Sequence, residues 1–264
     1  MIASDDKTSV DQYRQNCQLC EGTLKILTAK FLVCTGCGLM LRRVADDLKI
    51  LYTSGWQSPL ENLNLTGGTT PALGLNYSRE LLRTLGKQNL NGMKILDFGG
   101  GRGELARALR ALGASVVIAD PYSYSQLREQ GLAAVESLDQ LEGSKPFDGA
   151  VTIDVVEHLT APWEQLRMIK GLLVPGGWLY LSTPNAWSLN ARINRENWRE
   201  ALNPSHLLLF APPAMDRLLR KAGFEGYQRL RWRVDYSENK LVQAKDWLLR
   251  SLRLDGVLRY MAYS

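Results

Sequence analysis

Thirteen residues, Lys94-Ile-Leu-Asp-Phe-Gly-Gly-Gly-Arg-Gly-Glu-Leu-Ala106, restrict the fold of this chain more than any other stretch. They read as a short buried strand that ends in an acid, turns through glycines and opens a helix. Glycine leaves no Cβ in such a turn, so backbone N–H groups and a helix N-terminus can approach a ligand closely. A glycine turn alone is a weak signal. Two acids sharpen it, Asp97 just before the first glycine and Asp120 at the end of the next apolar run, Val116-Val-Ile-Ala119.

The rhythm around this stretch alternates helix and strand. The pattern predicts strands at Ile95–Phe98, Val116–Ala119, Leu132–Val135, Phe147–Ile153, Trp178–Ser182 and Phe224–Trp232. It predicts helices at Tyr77–Leu85, Glu104–Leu112, Ser123–Gln130, from Pro162 to about Leu173, at Pro212–Ala222 and, as a basic amphipathic end piece, at Asn239–Leu254. Stop glycines follow several of the helices. Fully apolar strands between amphipathic helices call for a doubly wound, mostly parallel α/β sheet. Residues 183–206 stand out as a long irregular insertion, which a compact domain retains when it has a task.

With 45% apolar and 22% charged residues the composition is that of a globular protein, not of a disordered chain. No apolar run reaches the roughly 18–20 residues needed to span a bilayer, and the polar start at Met1–Asp6 does not read as a signal peptide. A cytoplasmic location is therefore expected. The net charge of +5 permits an anionic partner without demanding one.

All four cysteines fall in one short segment, as Cys17-Gln-Leu-Cys20 and Cys34-Thr-Gly-Cys37. Two C-x-x-C pairs thirteen residues apart have the spacing of a tetrahedral zinc site built from two knuckles. With all four positions occupied by ligands, the Zn2+ is expected to be structural, and Gly38 is expected to relieve crowding behind the second knuckle. Five segments follow: 1–15 polar and frayed, 16–41 a zinc ribbon, 42–75 a connector, 76–237 the main domain and 238–264 the basic helix. In the connector, which also contains Pro59, the aromatics Tyr52 and Trp56 are expected to pack the ribbon onto the main domain, with lining of a substrate cleft as the other reading.

In an open α/β sheet the ligand sits beyond the carboxyl ends of the strands, at the switch point. The residues there are Asp97, Phe98, Gly99, Gly100, Gly101 and Gly103 after the first strand, then Asp120, Pro121 and Tyr122. Glu136 and Ser137 follow the third strand, and Asp154 to His158 the fourth. Gly101-Arg-Gly103-Glu-Leu-Ala106 also matches the dinucleotide fingerprint G-x-G-x-x-A, so a nicotinamide enzyme is a rival. Against it, a carboxylate at Asp97 would repel a pyrophosphate by several kcal/mol in a low-dielectric cleft. An ammonium-bearing nucleoside would be welcomed there, and S-adenosylmethionine is one.

Asp97-Phe-Gly-Gly-Gly-Arg-Gly103 resembles the D-x-G-x-G-x-G motif of class I S-adenosylmethionine-dependent methyltransferases. Phe147-Asp148 with Asp154-Val-Val-Glu157-His158-Leu159 is similar to their FD…EHL block, and Leu173-Val-Pro-Gly-Gly177 with Thr183-Pro-Asn185 to their L-x-P-G-G…TPN block. The likeness continues through Trp198, Pro204, His206 and Phe210 to Ala222–Phe224, covering about residues 76–236. It implies a Rossmann-like methyltransferase sheet behind a small N-terminal zinc ribbon, an arrangement resembling a subgroup that methylates sugars and natural products. It also implies that Asp97, Gly99, Gly101 and Gly103 hold the methionine part and that Asp120 binds the ribose. Tyr122 would lie against the adenine, Glu136 or Ser137 near its edge, and Asp154 with Val155 would close the pocket beneath the sulfonium. Gly100 stands where the family often has Cys or Ala. The family commonly ends in two antiparallel strands, of which one is legible here.

Methyl transfer to a hydroxyl requires in-line placement and a base. His206 is a candidate base, with a structural loop tie as its other reading. Glu157 and His158 resemble the E-x-x-E-H that holds Mg2+ in some O-methyltransferases, or else buttress the pocket. Trp187, Arg192, Arg195, Trp198 and Arg199 in the insertion suit a sugar, a phosphate or a packed lid. The expected function is O-methylation of a small-molecule, sugar or natural-product acceptor. The alternatives are an RNA methyltransferase that grips nucleic acid with ribbon and basic tail, and a non-catalytic cofactor-binding scaffold.

Overall fold

The computed structural model describes residues 16–43, 71–230, 240–252 and 254–264. The expected frayed segment 1–15 and the connector residues Tyr52, Trp56, Pro59 and Thr66–Thr70 lie outside these, as does the end of the strand expected at Phe224–Trp232.

Seven strands form the central sheet. In chain order they are β4 (Lys94–Phe98), β5 (Ser115–Ala119), β6 (Ala133–Val135), β7 (Phe147–Ile153), β8 (Leu173–Pro184), β10 (Gly226–Arg229) and β11 (Val257–Tyr263). Their spatial order is β10-β11-β8-β7-β4-β5-β6. β4 pairs in parallel with β5 on one side and β7 on the other, so the order reverses at β4, where the sequence expects the switch point. The central strands have apolar runs because both faces are covered: Ile95, Leu96, Ile118 and Ala150 are all fully buried.

The covering helices are α1 (Pro71–Leu85), α2 (Glu104–Ala111), α3 (Tyr124–Glu129), α4 (Pro162–Leu172) and α7 (Pro212–Lys221). α4 and α7 carry proline in their first turn, where the missing N–H has no intrahelical partner to lose. α1 runs the longer way back from Gly86 than its apolar pattern suggests, starting at Pro71 instead of Tyr77.

The far edge holds the main departure from expectation. Residues 238–264 read as a basic end helix, and a helix α8 (Lys240–Ser251) is present. After it the chain returns as β11, which inserts between β8 and β10 and pairs antiparallel with both. β11 is buried along most of its length, but its two tyrosines and Arg259 resemble a solvated tail when read locally. Arg259 is 5% exposed and lies 3.3 Å from the carboxylate of Glu80 on α1, so it belongs to the core and not to a basic face.

The ribbon contains β1 (Leu24–Ile26), β2 (Phe31–Cys34) and an unforeseen β3 (Met40–Arg42). β3 pairs with β9 (Leu208–Leu209) of the main domain, making a four-stranded sheet across the two parts. The insertion expected to be irregular contains α5 (Leu189–Asn194) and α6 (Arg199–Leu202). Ser188 caps α5 by accepting from the Ala191 N–H at 3.1 Å. Trp198 is buried with Phe31, Ala201 and Leu209 in a small core between ribbon and insertion. Each such fully buried large side chain stabilises the contact by about 1.5–3 kcal/mol.

Candidate active site

The carboxyl end of β4 delivers Asp97 into the turn. Gly99, Gly101 and Gly103 have φ of +75°, +52° and +76°, the left-handed region that side chains rarely adopt. A Cβ on Gly99 would meet Val155 at 2.4 Å and one on Gly100 would meet the Asp97 carboxylate at 2.8 Å, whereas one on Gly101 faces open space. Gly100 is thus required by the acid beside it, and Gly101 is the face of the turn open to a ligand. Phe98 is buried behind the turn.

Asp97 is 2% exposed and its Oδ2 has no hydrogen-bond partner in the protein. Burial, and after it the charge of Asp120, push its carboxyl up to about 7. A buried carboxyl oxygen without a donor is costly unless a cation or donor completes it.

Asp120, at the end of β5, is differently employed. Its Oδ2 accepts from the Gly101 N–H at 2.9 Å, and its Oδ1 from the N–H groups of Tyr122 and Ser123 at 3.0 and 2.9 Å. A carboxylate offers about four lone-pair sites, so roughly one remains for an outside hydroxyl. Asp120 therefore ties the glycine turn to the β5 turn. Pro121 and Tyr122 are exposed beside it, Tyr122 at 51%. Glu136 is exposed and Ser137 half-buried after β6.

Asp154 follows β7 in a left-handed conformation at φ +54°, a strained position for a non-glycine residue that costs of order 1–3 kcal/mol. Burial pushes its carboxyl up to about 6, against the opposing pull of Arg259. Glu157 is fully buried, and burial, with Asp154 next, holds it well above the usual carboxylate range. Its Oε2 accepts from the Thr183 hydroxyl at 2.9 Å, while its Oε1 has no hydrogen-bond partner.

The two histidines meet edge to face with ring centroids 4.8 Å apart. His158 Nδ1 faces the Ser205 carbonyl at 3.0 Å, which places the proton on Nδ1 and a lone pair on Nε2. His206 is 4% exposed, with Nδ1 donating to the Glu200 carbonyl at 3.1 Å and Nε2 accepting from the Asn203 amide at 3.0 Å. The Asn203 orientation is fixed because its Oδ1 accepts from the N–H and hydroxyl of Ser205. Burial, then His158, lowers His206 to about 3. Both of its nitrogens are engaged.

Ligand atoms of Glu157, His158 and His206 lie within 4.8 Å of one another. One carboxylate and two imidazoles are not the all-oxygen set that Mg2+ requires, and Asp154, the first acid of the motif, is not among them. The donors do not fit the Mg2+ that the resemblance offered beside the buttress reading.

The cysteine cluster has a different geometry. The Sγ atoms of Cys17 and Cys37 are 3.7 Å apart and those of Cys20 and Cys34 3.4 Å, and all four cysteines are free. A zinc ion bound at ~2.3 Å to each of four tetrahedral sulfurs sets them about 3.8 Å apart, whereas a disulfide brings two to about 2 Å. Leu19, Gly36 and Cys37 direct N–H groups at Cys17 and Cys34 sulfurs at 3.3–3.4 Å. Shared protons lower Cys17 to about 5 and raise Cys37, the signature of thiols too close to ionise together without a cation. The crowding falls on Gly22 and Gly36, where a Cβ would lie 3.1–3.3 Å from sulfur. Gly38, expected in that role, instead accommodates the ring of Trp187.

The sheet order, the left-handed glycine turn and the paired acids define a Rossmann-like fold of the methyltransferase type. Residues 74–229 match a family described as a methyltransferase domain, and the chain belongs to that family. It is 33% identical over 152 residues to a ubiquinone biosynthesis O-methyltransferase of Caulobacter sp. strain K31, covering 47% of this chain and 60% of that protein. A protein of the same name from Dinoroseobacter shibae is 30% identical over 183 residues, covering 59% and 68%. Among solved structures, the chain superposes on Burkholderia thailandensis 1,6-didemethyltoxoflavin-N1-methyltransferase with a TM-score of 0.53 at 18% identity, covering 91% and 98%. Haemonchus contortus phosphoethanolamine N-methyltransferase 2 gives 0.54 at 16%, covering 84% and 60%. These structural likenesses show the fold alone. No helix among the described residues is long and apolar enough to cross a membrane.

Proposed function

We propose that this chain transfers the methyl group of S-adenosylmethionine to an oxygen of a small-molecule acceptor. The observation that carries the reading is the buried Asp97 with its unpartnered Oδ2 beside Gly100, in a glycine turn that is open at Gly101. Such a carboxylate receives the ammonium of the cofactor's methionine part, and the pairing returns it to its charged form. Asp120 holds the two turns in register and offers its remaining lone pair to a ribose hydroxyl. Tyr122 presents an exposed ring at the adenine side, with Glu136 and Ser137 at the edge. Val155, packed on Gly99, and Asp154 close the pocket beneath the sulfonium. Bound there, the cofactor supplies an electrophilic methyl group.

On the acceptor side the reading assigns the base role to His158, whose Nε2 lone pair is set by its Nδ1 bond to Ser205. Glu157 acts as a neutral buttress. His206 serves as the loop tie, because taking a proton would require it to release Asn203. The preference for an oxygen acceptor rests on the O-methyltransferase relatives. The alternative of an RNA-gripping ribbon is weakened because β3 is occupied by β9. The four cysteines are read as a structural zinc site.

Isothermal titration tests the cofactor assignment. S-adenosylhomocysteine should bind the wild type and bind Asp97→Asn at least about a hundredfold more weakly, as loss of a buried charge-assisted bond requires. Binding of NADH in its place would overturn the reading. A protein that binds the cofactor but methylates no fraction of a metabolite extract would leave only the scaffold alternative.

A further inference from the structure

Loop 199–207 is held from both sides. On its inner side the Leu207 N–H donates to the Glu157 carbonyl at 2.8 Å, and the Ser205 carbonyl accepts from His158. Arg199 and Glu200 of the same loop are among the charges that Asp154 senses. On its outer side the partner is the ribbon. The Arg42 N–H donates to the Leu207 carbonyl at 2.8 Å, continuing the β3–β9 ladder.

The Arg42 side chain then reaches past the end of that ladder. Its Nε donates to the His206 carbonyl at 2.9 Å, and its Nη2 to the carbonyls of Ala201 and Asn203 at 2.8 and 2.7 Å. These carbonyls lie in and just beyond the short helix α6, where helical acceptors run out of intrahelical donors. A planar guanidinium fork can satisfy three of them at once, which an ammonium point charge cannot do with fixed geometry. The fork itself is placed by the ribbon: it lies 4.6 Å from the centre of the buried Phe31 ring on β2. Phe31 and Cys34 are the two ends of β2, so the thiol cluster and the fork share one strand pair.

We propose that Arg42 is a positioning residue that carries the order of the four-cysteine ribbon onto loop 199–207, and through it onto His158 at the acceptor side. The functional consequence rests on the methyl-transfer reading above; the mechanical coupling does not. The ribbon then has a task beyond its own folding, because it sets the wall of the site against which the acceptor lies. Removing the metal should reproduce the loss of Arg42.

Hydrogen exchange of the full, zinc-loaded chain tests this. In Arg42→Met, peptides covering 199–207 should exchange roughly tenfold faster or more, since opening no longer has to break the three hydrogen bonds that Arg42 donates. Peptides from β4 to β7 should be unchanged, and Arg42→Lys should fall between the two. The chain has two histidines, so their ring resonances can be followed directly. In the wild type His206 should stay neutral to about pH 4, whereas in Arg42→Met its titration should move upward by about one pH unit or more, as the loop opens more often and the charge of Arg42 is gone. Chelation of zinc from the wild type should give the same two signatures. An unchanged loop in Arg42→Met, or acceleration spread evenly over the sheet, would overturn the proposal. So would metal removal that loosens β1 to β3 and leaves 199–207 protected. S-adenosylhomocysteine affinity should stay within about twofold in Arg42→Met. Failure of the wild type to bind it would sink the methyl-transfer reading alone, because the exchange and titration results do not depend on the cofactor.

Discussion

The ends of β4 and β7 are neighbours in one sheet, yet the acid of the first and the imidazoles of the second are prepared in opposite ways. At β4 a carboxyl is buried with an oxygen that nothing in the protein completes, and the adjoining turn presents an open face. At β7 the imidazoles and the loop over them are already partnered: His206 through both nitrogens, His158 through Ser205, and the loop carbonyls through Arg42. The first region has a buried carboxyl oxygen left without a partner beside an open turn. The second keeps one such oxygen, on Glu157, but its imidazoles and loop are tied by the protein itself, in part from the distant ribbon.

The largest effect that probes this contrast is at Asp97. Its folded pKa of about 7 lies above the ordinary value of 3.8, so the folded state keeps a proton that the unfolded chain has lost. The cofactor-free protein must then lose stability as pH rises from about 4 through 7, with the loss flat above that. Asp97→Asn removes the penalty, and at pH 8 it should be more stable than wild type by up to about 4 kcal/mol in urea titrations. It should also fail to bind the cofactor analogue. Equal stability of the two proteins at pH 8 would remove the stored charge cost from the account.

Chelation should release one zinc per chain and lower stability by a few kcal/mol, or roughly 5–10 °C in melting temperature for a chain of this size. An intact melting transition with no metal released would refute the four-cysteine centre.

These two regions were also unequally legible in the sequence. Asp97 to Gly103 fall within seven residues, so spacing alone places them on one turn, and the switch point at β4 follows from the alternation of strands and helices. What Asp120 does was harder to read, because its three N–H partners come from loop backbone that no side-chain pattern encodes. β3 and β11 were hidden for a related reason. Met40–Arg42 and Val257–Tyr263 become strands only by pairing with Leu208–Leu209 and with β8 and β10, partners that lie far away in sequence. Trp198 signalled aromatic character in the insertion, but its packing against the ribbon's own Phe31, and the place of Arg42 beside that ring, are visible only in three dimensions.

A smaller effect is expected at Asp120. Asp120→Asn should weaken S-adenosylhomocysteine by about 1–3 kcal/mol if the carboxylate meets the ribose as proposed, and should also lower the melting temperature, since it ties two turns. Weaker binding with unchanged stability would show that the ties to Gly101, Tyr122 and Ser123 are incidental. The smallest expected effect is at His206. His206→Gln should leave the pH profile of turnover in place, while His158→Gln should abolish its acidic limb. The reverse result would make His206 the base and dissolve the contrast between an open and an assembled side.

The central claim is that Asp97, its carboxyl raised to about 7, is completed by an ammonium group. Titrating the wild type with S-adenosylhomocysteine at pH 6.5 in buffers of different ionisation enthalpy counts the protons exchanged on binding. A carboxyl at about 7 that becomes paired should release roughly 0.7 proton per ligand at that pH, falling toward zero by pH 8.5. Binding with no proton released at pH 6.5 would contradict it.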